Sequence, residues 1–437
     1  MNSSISVDPY WWGTQLKSFS DNPPLPGNID ILVVGAGYTG LSAARVAHDL
    51  GSRTVVVDAG EAGKGASTRN GGMFGAHPRV SWKALSLNFG EDTADKIFAE
   101  SSEALFFVKD FIRDESIECD LDPVGRIQLA WSEGDFEKQN NLARVIQSKS
   151  DVKVKLVKRS ELSQEIKTNR YYGGLLFKEH CGINPAKLHS GMIRALTSRG
   201  VPILQNMPVL SIKREYGGFR VQFLDQDVLV NKVIMATNGY TVNDFSWYKR
   251  RVVPVPSFLI TTEELPLDLI KELSPRGRMM VETRAKYSYY RLSPDKKRII
   301  FGGRAAIKPI ALSLAARRLK ASLDDIWPEV KSYKVTNVWT GNTGYSFNHM
   351  PHVGCKGGIY YAMGYSGSGT VLAAYLGAKV AFMASDDPRA KTAYSKTKLR
   401  TSLVHFFEKP YFLSLLDFWY QNVIDRWQSR LDSKNRP

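Results

Sequence analysis

An α/β fold built on a parallel sheet is what this sequence predicts, and three adjoining stretches carry the expectation. Ile29 to Val34 (IDILVV) is a short run, apolar at every position but Asp30 near its start, as a strand buried on both faces of a parallel sheet requires. GAGYTG follows at Gly35 to Gly40, and LSAARVAHDLG then keeps helical spacing through Leu41, Ala44, Ala47 and Leu50 before stopping at Gly51. TVVVDAG is a second strand ending in Asp58. Strand, GxGxxG, helix, strand and an acid about 20 residues on make the full signature of a dinucleotide-binding unit.

Each part of that unit has a physical reason. Gly35 permits the tight turn, Gly37 lets backbone approach a pyrophosphate, and Gly40 lets helix and strand pack closely. The helix N-terminus is positive and faces the phosphates. Asp58 accepts hydrogen bonds from the adenosine ribose.

Composition bounds the remainder. A chain of 437 residues has room for two domains, and 43% apolar with 23% charged residues is the balance of a soluble globular protein. MNSSISVDPYWW has neither a basic start nor an apolar core, so no signal peptide is expected, and the cytoplasm is the default. Val371 to Ala384 is too short to span a bilayer and contains Lys379, so it reads as a buried helix. Cys119, Cys181 and Cys355 lack CxxC spacing, which argues against disulfides and zinc. The net charge of +16 fits an acidic substrate, an anionic surface, or neutralisation of cofactor phosphates. No zinc finger, RNA-recognition motif or basic block supports nucleic acid.

A second glycine-rich stretch, GASTRNGG at Gly65 to Gly72, lies just past the second strand, at the carboxyl edge of the sheet. Gly65, Ala66 and Ser67 allow close backbone approach there, while Arg69 and Asn70 supply donors and an acceptor. That suits a dinucleotide with a large polar ring, a flavin rather than nicotinamide. PVLSIKREYGGFRVQF reads as a hairpin about Gly217-Gly218, followed by the apolar strand of KVIMATNGY. GGIYYAMGYSGSGTVLAAYLGAKVAFMA repeats the order of strand, glycine loop and helix, so Gly364, Gly367 and Gly369 place amides at a second helix N-terminus. A dipole of that sign favours negative charge building on a flavin's N1/C2 edge.

PYWWG, GAGYTGLSAA, GASTRNGGM, RVVPVPSFLITTEEL, YYRLSPDKKRIIFGGR, WTGNTGYSFNHMPHVG and GYSGSGT, in this order, resemble the FAD-dependent amine oxidoreductases of the D-amino-acid oxidase superfamily, most of all the γ-glutamylputrescine oxidoreductase-like proteins. The resemblance implies a discontinuous Rossmann-type FAD-binding domain from residues 28–85, 170–240 and 335–385. It implies an α+β substrate domain of D-amino-acid/sarcosine oxidase type from 86–169 and 241–334, an N-terminal extension 1–27 and a helical tail 386–437. Gly35, Gly37, Tyr38, Thr39, Gly40, Asp58 and Ala59 would hold the ADP half of FAD, with Val209 meeting the adenine. Gly65, Ala66, Ser67, Arg69, Asn70, Gly71, Gly72 and Met73 would follow the ribityl chain and ring. Thr237, Asn238, Gly341, Gly364, Tyr365, Gly367, Ser368, Gly369 and Thr370 complete the cofactor set.

Three departures from the family pattern matter. The cysteine that bonds the flavin in sarcosine oxidases falls near Gly341, so FAD is expected to be non-covalent. Ser346-Phe347-Asn348 stands where relatives have T-x-D. The lysine that serves oxygen in sarcosine oxidases falls on Ile300, which leaves O2 or a carrier open as the electron acceptor.

The chemistry implied is hydride loss from carbon beside an amine nitrogen, which must be neutral; an apolar pocket disfavours the ammonium. Phe258, Tyr287, Tyr289, Tyr290 and Trp339 are the aromatic candidates for that pocket, and Arg291 for clamping a carboxylate. His77, Tyr289 and His349 are candidate catalytic groups, Arg79 a further polar one. The stripes Ile97, Leu105, Val108, Ile112 and Leu312, Ala316, Leu319, Leu323, Ile326 predict two helices, and Val252 to Thr262 and Tyr287 to Gly302 strands. Leu413 to Lys434 predicts a basic amphipathic helix that docks on its own protein or touches a membrane surface. Oxidation of a 2-hydroxy acid, or service as a flavin-binding subunit of a larger assembly, are the alternative functions.

Overall fold

The structure, a computed structural model, describes residues 5–15, 22–284, 287–402 and 412–419. Ile29–Val34 is the centre of the first sheet, pairing in parallel with Thr54–Val57 on one side and Asp227–Met235 on the other. Ile203–Leu204 and Ile359–Met363 extend it in parallel beyond those neighbours. His352–Lys356 closes one edge antiparallel, and the expected hairpin, Ser211–Glu215 with Gly218–Gln222, lies antiparallel on Asp227–Met235. Helices cover one face, and the hairpin, through Phe219 and Val221, covers the other together with Tyr248, so the strands are largely buried on both faces and rich in valine, isoleucine and leucine.

Helix Tyr38–Asp49 leaves the first strand through the glycine turn. Helix Gly369–Ala384, the expected buried helix, packs against it. The contact is closest at Gly377, where a Cβ would stand 2.3 Å from the carbonyl oxygen of Thr39. Helix Glu91–Asp114 presents the expected stripe of Ile97, Leu105, Val108 and Ile112, and that stripe is part of the same core as Leu372 and Leu376. Residues 86–169 were expected in the other domain; this helix instead shares the core of the first sheet, because its apolar face meets helix Gly369–Ala384.

The second sheet has eight strands, in the order Val335–Tyr345, Val253–Thr262, Ile299–Gly303, Ser288–Leu292, Met279–Glu282, Arg126–Ala130, Gly173–Phe177 and Val154–Lys158. Every neighbouring pair is antiparallel except Met279–Glu282 with Arg126–Ala130. Helix Leu312–Ile326 covers one face with Leu319, Leu323 and Ile326. Two strands of this sheet, Gly173–Phe177 and Val335–Tyr345, come from segments expected in the nucleotide domain. Strand pairing over more than 40 residues decides their membership, and no local pattern records it.

The N-terminal extension is tied down. Ser6 bridges to Asn337, and Trp11 is fully buried beside Leu259, Ile300 and Trp339. Of the expected tail helix only Phe412–Trp419 is described; the remainder from residue 420 lies outside the described residues. No described helix is long and apolar enough to cross a membrane.

Gly377→Ala is expected to destabilise the protein by about 1–3 kcal/mol, since the added carbon forces two backbones apart. Chemical denaturation measures this, and an unchanged midpoint would mean the helices separate freely.

Candidate active site

The glycine turn meets its geometric requirements. Gly35 has φ +109°, and a Cβ on Gly40 would lie 1.8 Å from the Gly35 carbonyl oxygen, so neither position accepts a side chain without backbone movement. Gly37, as N-cap of helix Tyr38–Asp49, contributes no side-chain cap. Ser67 of the second glycine-rich loop takes one orphan amide instead, its Oγ accepting from the Tyr38 N–H at 3.0 Å. Asp58 accepts from the amides of Ala36 (2.8 Å) and Gly60 (3.1 Å); burial raises its pKa in spite of them.

The stretch Gly65 to Met73 is held from all sides. Asn70 folds it internally: Nδ2 donates to the carbonyls of Ser67 (2.8 Å) and Ala66 (3.3 Å), and Oδ1 accepts from the Gly72 amide at 2.9 Å. Trp11 Nε1 donates to the Asn70 carbonyl at 2.8 Å and Trp12 Nε1 to Thr68 Oγ1 at 2.9 Å. Trp339 Nε1 donates to the Arg69 carbonyl at 2.9 Å, and Arg69 reaches the carbonyls of Lys64 and Thr340. Gly72 has φ +67°, with the Ile183 carbonyl 2.4 Å from where a Cβ would sit.

Four of the residues expected to meet the substrate do not face the cavity as expected. Arg291 is no carboxylate clamp open to ligand: it is buried, and its guanidinium donates to the carbonyls of Gly72, Ile183 (2.8 Å) and Leu292 (2.9 Å). Burial lowers its pKa to about 10. Trp339 stands behind the loop and does not line the cavity. Phe258 points into the core of the second sheet, while its neighbours Ser257 and Leu259 face the cavity, as strand alternation demands. Tyr290 likewise faces that core, stacked on Phe301.

One cavity of about 1620 Å³ joins the remaining candidates. It runs from Asp58, Ala59 and Val209, past Gly35, Gly37, Tyr38 and Thr39, along Gly65, Ala66, Ser67, Arg69, Asn70, Gly71 and Met73. Thr237, Asn238, Gly341, Tyr365, Gly367, Ser368, Gly369 and Thr370 line it from the other side. Gly40, Gly72 and Gly364 lie beneath it as packing positions, Gly364 donating its amide to Asn238 Oδ1 at 2.9 Å. Helix Gly369–Ala384 opens on this space without a side-chain cap. The volume exceeds the ~300–1,000 Å³ of an ordinary small-molecule pocket, so a dinucleotide and a substrate fit together.

The far end is aromatic and cationic. Tyr289 fits only because its neighbours are glycines: a Cβ on Gly302 would lie 2.2 Å from its ring, and one on Gly71 2.9 Å. Its hydroxyl pairs with Ser257 Oγ at 2.9 Å, and burial raises its pKa, so it stays protonated. Tyr287 lies 6.3 Å from the Tyr289 ring, and Tyr345 5.8 Å, edge-on, from His349. Arg79 stands in the open cavity beside Gly367; burial works against its charge, but Tyr287 and Tyr345 outweigh it and raise the pKa. No carboxylate pairs with Arg79 among the described residues. His77 is not free to act as a base, since its Nδ1 accepts from Arg126 Nη2 at 2.8 Å, and burial with Arg126 and Arg79 holds its pKa well down. His349 lines the cavity with part of its ring open to solvent, and partial desolvation together with Arg79 lowers its pKa.

Sequence reasoning missed the two indoles of Trp11 and Trp12 as braces, and Ser257, Tyr345, Arg126 and Gln128 as lining. The alternation in RIQLA (Arg126 to Ala130) was a usable signal for the last pair.

A family model described as FAD dependent oxidoreductase matches residues 30–383. The glycine cradle, the uncapped helix N-terminus and Asp58 fit that cofactor. The chain is 29% identical over 376 residues to the gamma-glutamylputrescine oxidoreductase of Escherichia coli, covering 84% of this chain and 86% of the relative. It is 28% identical over 397 residues to the probable oxidoreductase OrdL of Haemophilus influenzae, covering 88% and 89%. Glycine oxidase from Geobacillus kaustophilus shares the fold at a TM-score of 0.70 with 15% identity, covering 86% of this chain and 99% of that one.

Arg291→Met is expected to cost about 2–4 kcal/mol, because it strands buried carbonyls. Thermal denaturation checks this; unaltered stability with a raised KM would restore the clamp. A second expectation concerns acid. His189 donates from Nε2 to the Ala36 carbonyl at 2.7 Å, and burial lowers its pKa from 6.5 to about 4. Between those values the unfolded chain takes up a proton that the folded chain refuses, so this contribution is complete above pH 6.5 and falls away towards pH 4. The melting temperature followed by flavin fluorescence should drop between pH 7.5 and 5, and less so in His189→Gln.

Proposed function

Because the chain belongs to the FAD-dependent oxidoreductase family, we propose that it oxidises a C–N bond of an amine, with a γ-glutamylputrescine-like conjugate or an N-methyl amino acid as substrate. The observation that carries this reading is the cavity's far end, where Tyr287 and Tyr345 meet Arg79, Tyr289 lies beside Tyr287, and no carboxylate pairs with Arg79 among the described residues. Such surroundings disfavour an ammonium twice, by desolvation and by like charge, and so select the neutral amine whose lone pair drives hydride loss. They also favour a negative group elsewhere on the same substrate. The name of the Escherichia coli relative supports the first substrate class.

When bound, FAD supplies the hydride acceptor. The protein's part is placement and electrostatics. Arg79 and the open N-terminus of helix Gly369–Ala384 put two sources of positive potential at one edge of the cavity, which favours electron density arriving there. Tyr289, held by Ser257 and pressed between Gly71 and Gly302, gives the amine a rigid wall. No protonated acid or free base is required beyond solvent, since the amine reacts neutral and the imine hydrolyses after release. Gly341 offers no side chain for a covalent flavin link, and Cys355 lies on the edge strand His352–Lys356, away from the cavity, which supports non-covalent binding.

Anaerobic addition of γ-glutamylputrescine to the purified holoprotein is expected to bleach the flavin bands, with N-methyl amino acids as the second set to try. Bands that persist with amines but bleach with a 2-hydroxy acid would overturn the assignment. Oxygen uptake against dye reduction then identifies the acceptor.

A further inference from the structure

Part of the cavity's lining, its polar arm, is not used by the oxidation step. It comprises Arg126 and Gln128 of the strand Arg126–Ala130 together with Lys138 and Asn141 on the helix Glu133–Lys149. Arg126 and Gln128 share one face of their strand, while Ile127 and Leu129 are wholly buried on the other. Both polar side chains are short of partners. Arg126 spends Nη2 on His77 and lays its guanidinium 4.9 Å over Phe177, but its Nε is buried with no acceptor, and no carboxylate pairs with it among the described residues. Gln128 makes no side-chain hydrogen bond among the described residues, and its buried Oε1 has no donor there. Burial and the nearby Arg79 both disfavour the Arg126 charge. A cation and a carboxamide left in this state are costly unless something completes them.

Sheet register gives the distance between this arm and the reacting end. Gln128 stands opposite Val281, Val281 opposite Tyr289, and Tyr289 opposite Gly302. Two strand spacings therefore separate Gln128 from Tyr289, about 10 Å. In a γ-glutamyl diamine, the carbon beside the free amine and the α-carboxylate carbon are about nine bonds apart, roughly 10 Å when extended. With the amine against Tyr289, the carboxylate falls about level with Gln128, within reach of the Arg126 side chain on the same strand face, and the amide, about five bonds out, lies within reach of the Gln128 side chain.

We propose that Arg126 and Gln128 form a remote subsite for the carboxylate and amide of an acyl group carried by the amine, so that the enzyme selects a carboxylate-bearing N-acyl diamine over a neutral one. The inference rests on the amine-oxidation reading and adds a place for the half of the substrate that does not react. Charge-assisted pairing at Arg126 supplies most of the selection, and Gln128 sets the register of the amide.

The test uses holoenzyme and compares anaerobic flavin reduction by γ-glutamylputrescine and by N-acetylputrescine. The ratio of their second-order rate constants should favour the first by about tenfold or more in the natural chain. Arg126→Met should bring that ratio close to one, Arg126→Lys should recover part of it, and Gln128→Leu should lower it severalfold. A purely structural role would slow both substrates alike and leave the ratio unchanged, which would overturn the subsite while amine oxidation stands. Equal rates in the natural chain would overturn it as well. Reduction by neither amine would remove the amine reading and the subsite together. Should Arg126→Met fail to fold, Gln128→Leu decides, since it leaves the pairing of Arg126 with His77 intact.

Discussion

A single buried guanidinium ties the second sheet to the loop that frames the cofactor cavity. Arg291 belongs to the second sheet, yet it donates to the carbonyls of Gly72 and Ile183, which belong to the cofactor side. Those acceptors are buried, and among the described residues no carboxylate forms an ion pair with the cation, Asp120 acting on it only from a distance, so the arrangement rests on hydrogen bonding more than on charge pairing. Everything on the loop from Gly65 to Met73 is positioned relative to that tie. Asn70 then folds the loop on itself, and three indoles fasten it from Trp11, Trp12 and Trp339. The loop is thus a rigid floor, with Tyr289 resting on its Gly71.

How much of this the sequence discloses depends on the range of the interactions. The first strand, glycine turn and helix are legible because their constraints are local: burial on both faces, a positive φ, and a close approach within six residues. The second glycine loop is legible as composition but not as geometry, since its braces lie as far as 270 residues away. Phe258 and Arg291 were misread for a common reason. The strands Val253–Thr262 and Ser288–Leu292 are largely buried on both faces, so no polar alternation marks which side turns to the cavity. Arg126 and Gln128 are the reverse case, a clean alternation whose partner face only the sheet order reveals.

The net charge of +16 acquires a partial local meaning in the cavity. Arg79 and Arg126 face it without carboxylates among the described residues, and burial and those same cations lower the pKa values of His77, His180 and His349 beside them. The site therefore carries positive potential through fixed guanidinium groups and has little capacity to take up protons in the neutral range. Negative charge arriving there, on ligand or on cofactor, is met by preorganised groups rather than by proton uptake.

The fastening of one loop by Trp11, Ile183, Arg291 and Trp339 also has a consequence for biogenesis. During synthesis the nucleotide turn emerges early, but the braces of its neighbouring loop leave the ribosome one after another, the last when more than three quarters of the chain has been made. Until then the tryptophans near the start have no place to bury and the parallel sheet lacks its late strand Ile359–Met363. Such long-range closure is slow and leaves apolar edges exposed while it waits. Recombinant yield should accordingly respond to translation speed, temperature and chaperone supply, and fusions at the amino end will be felt at the flavin loop.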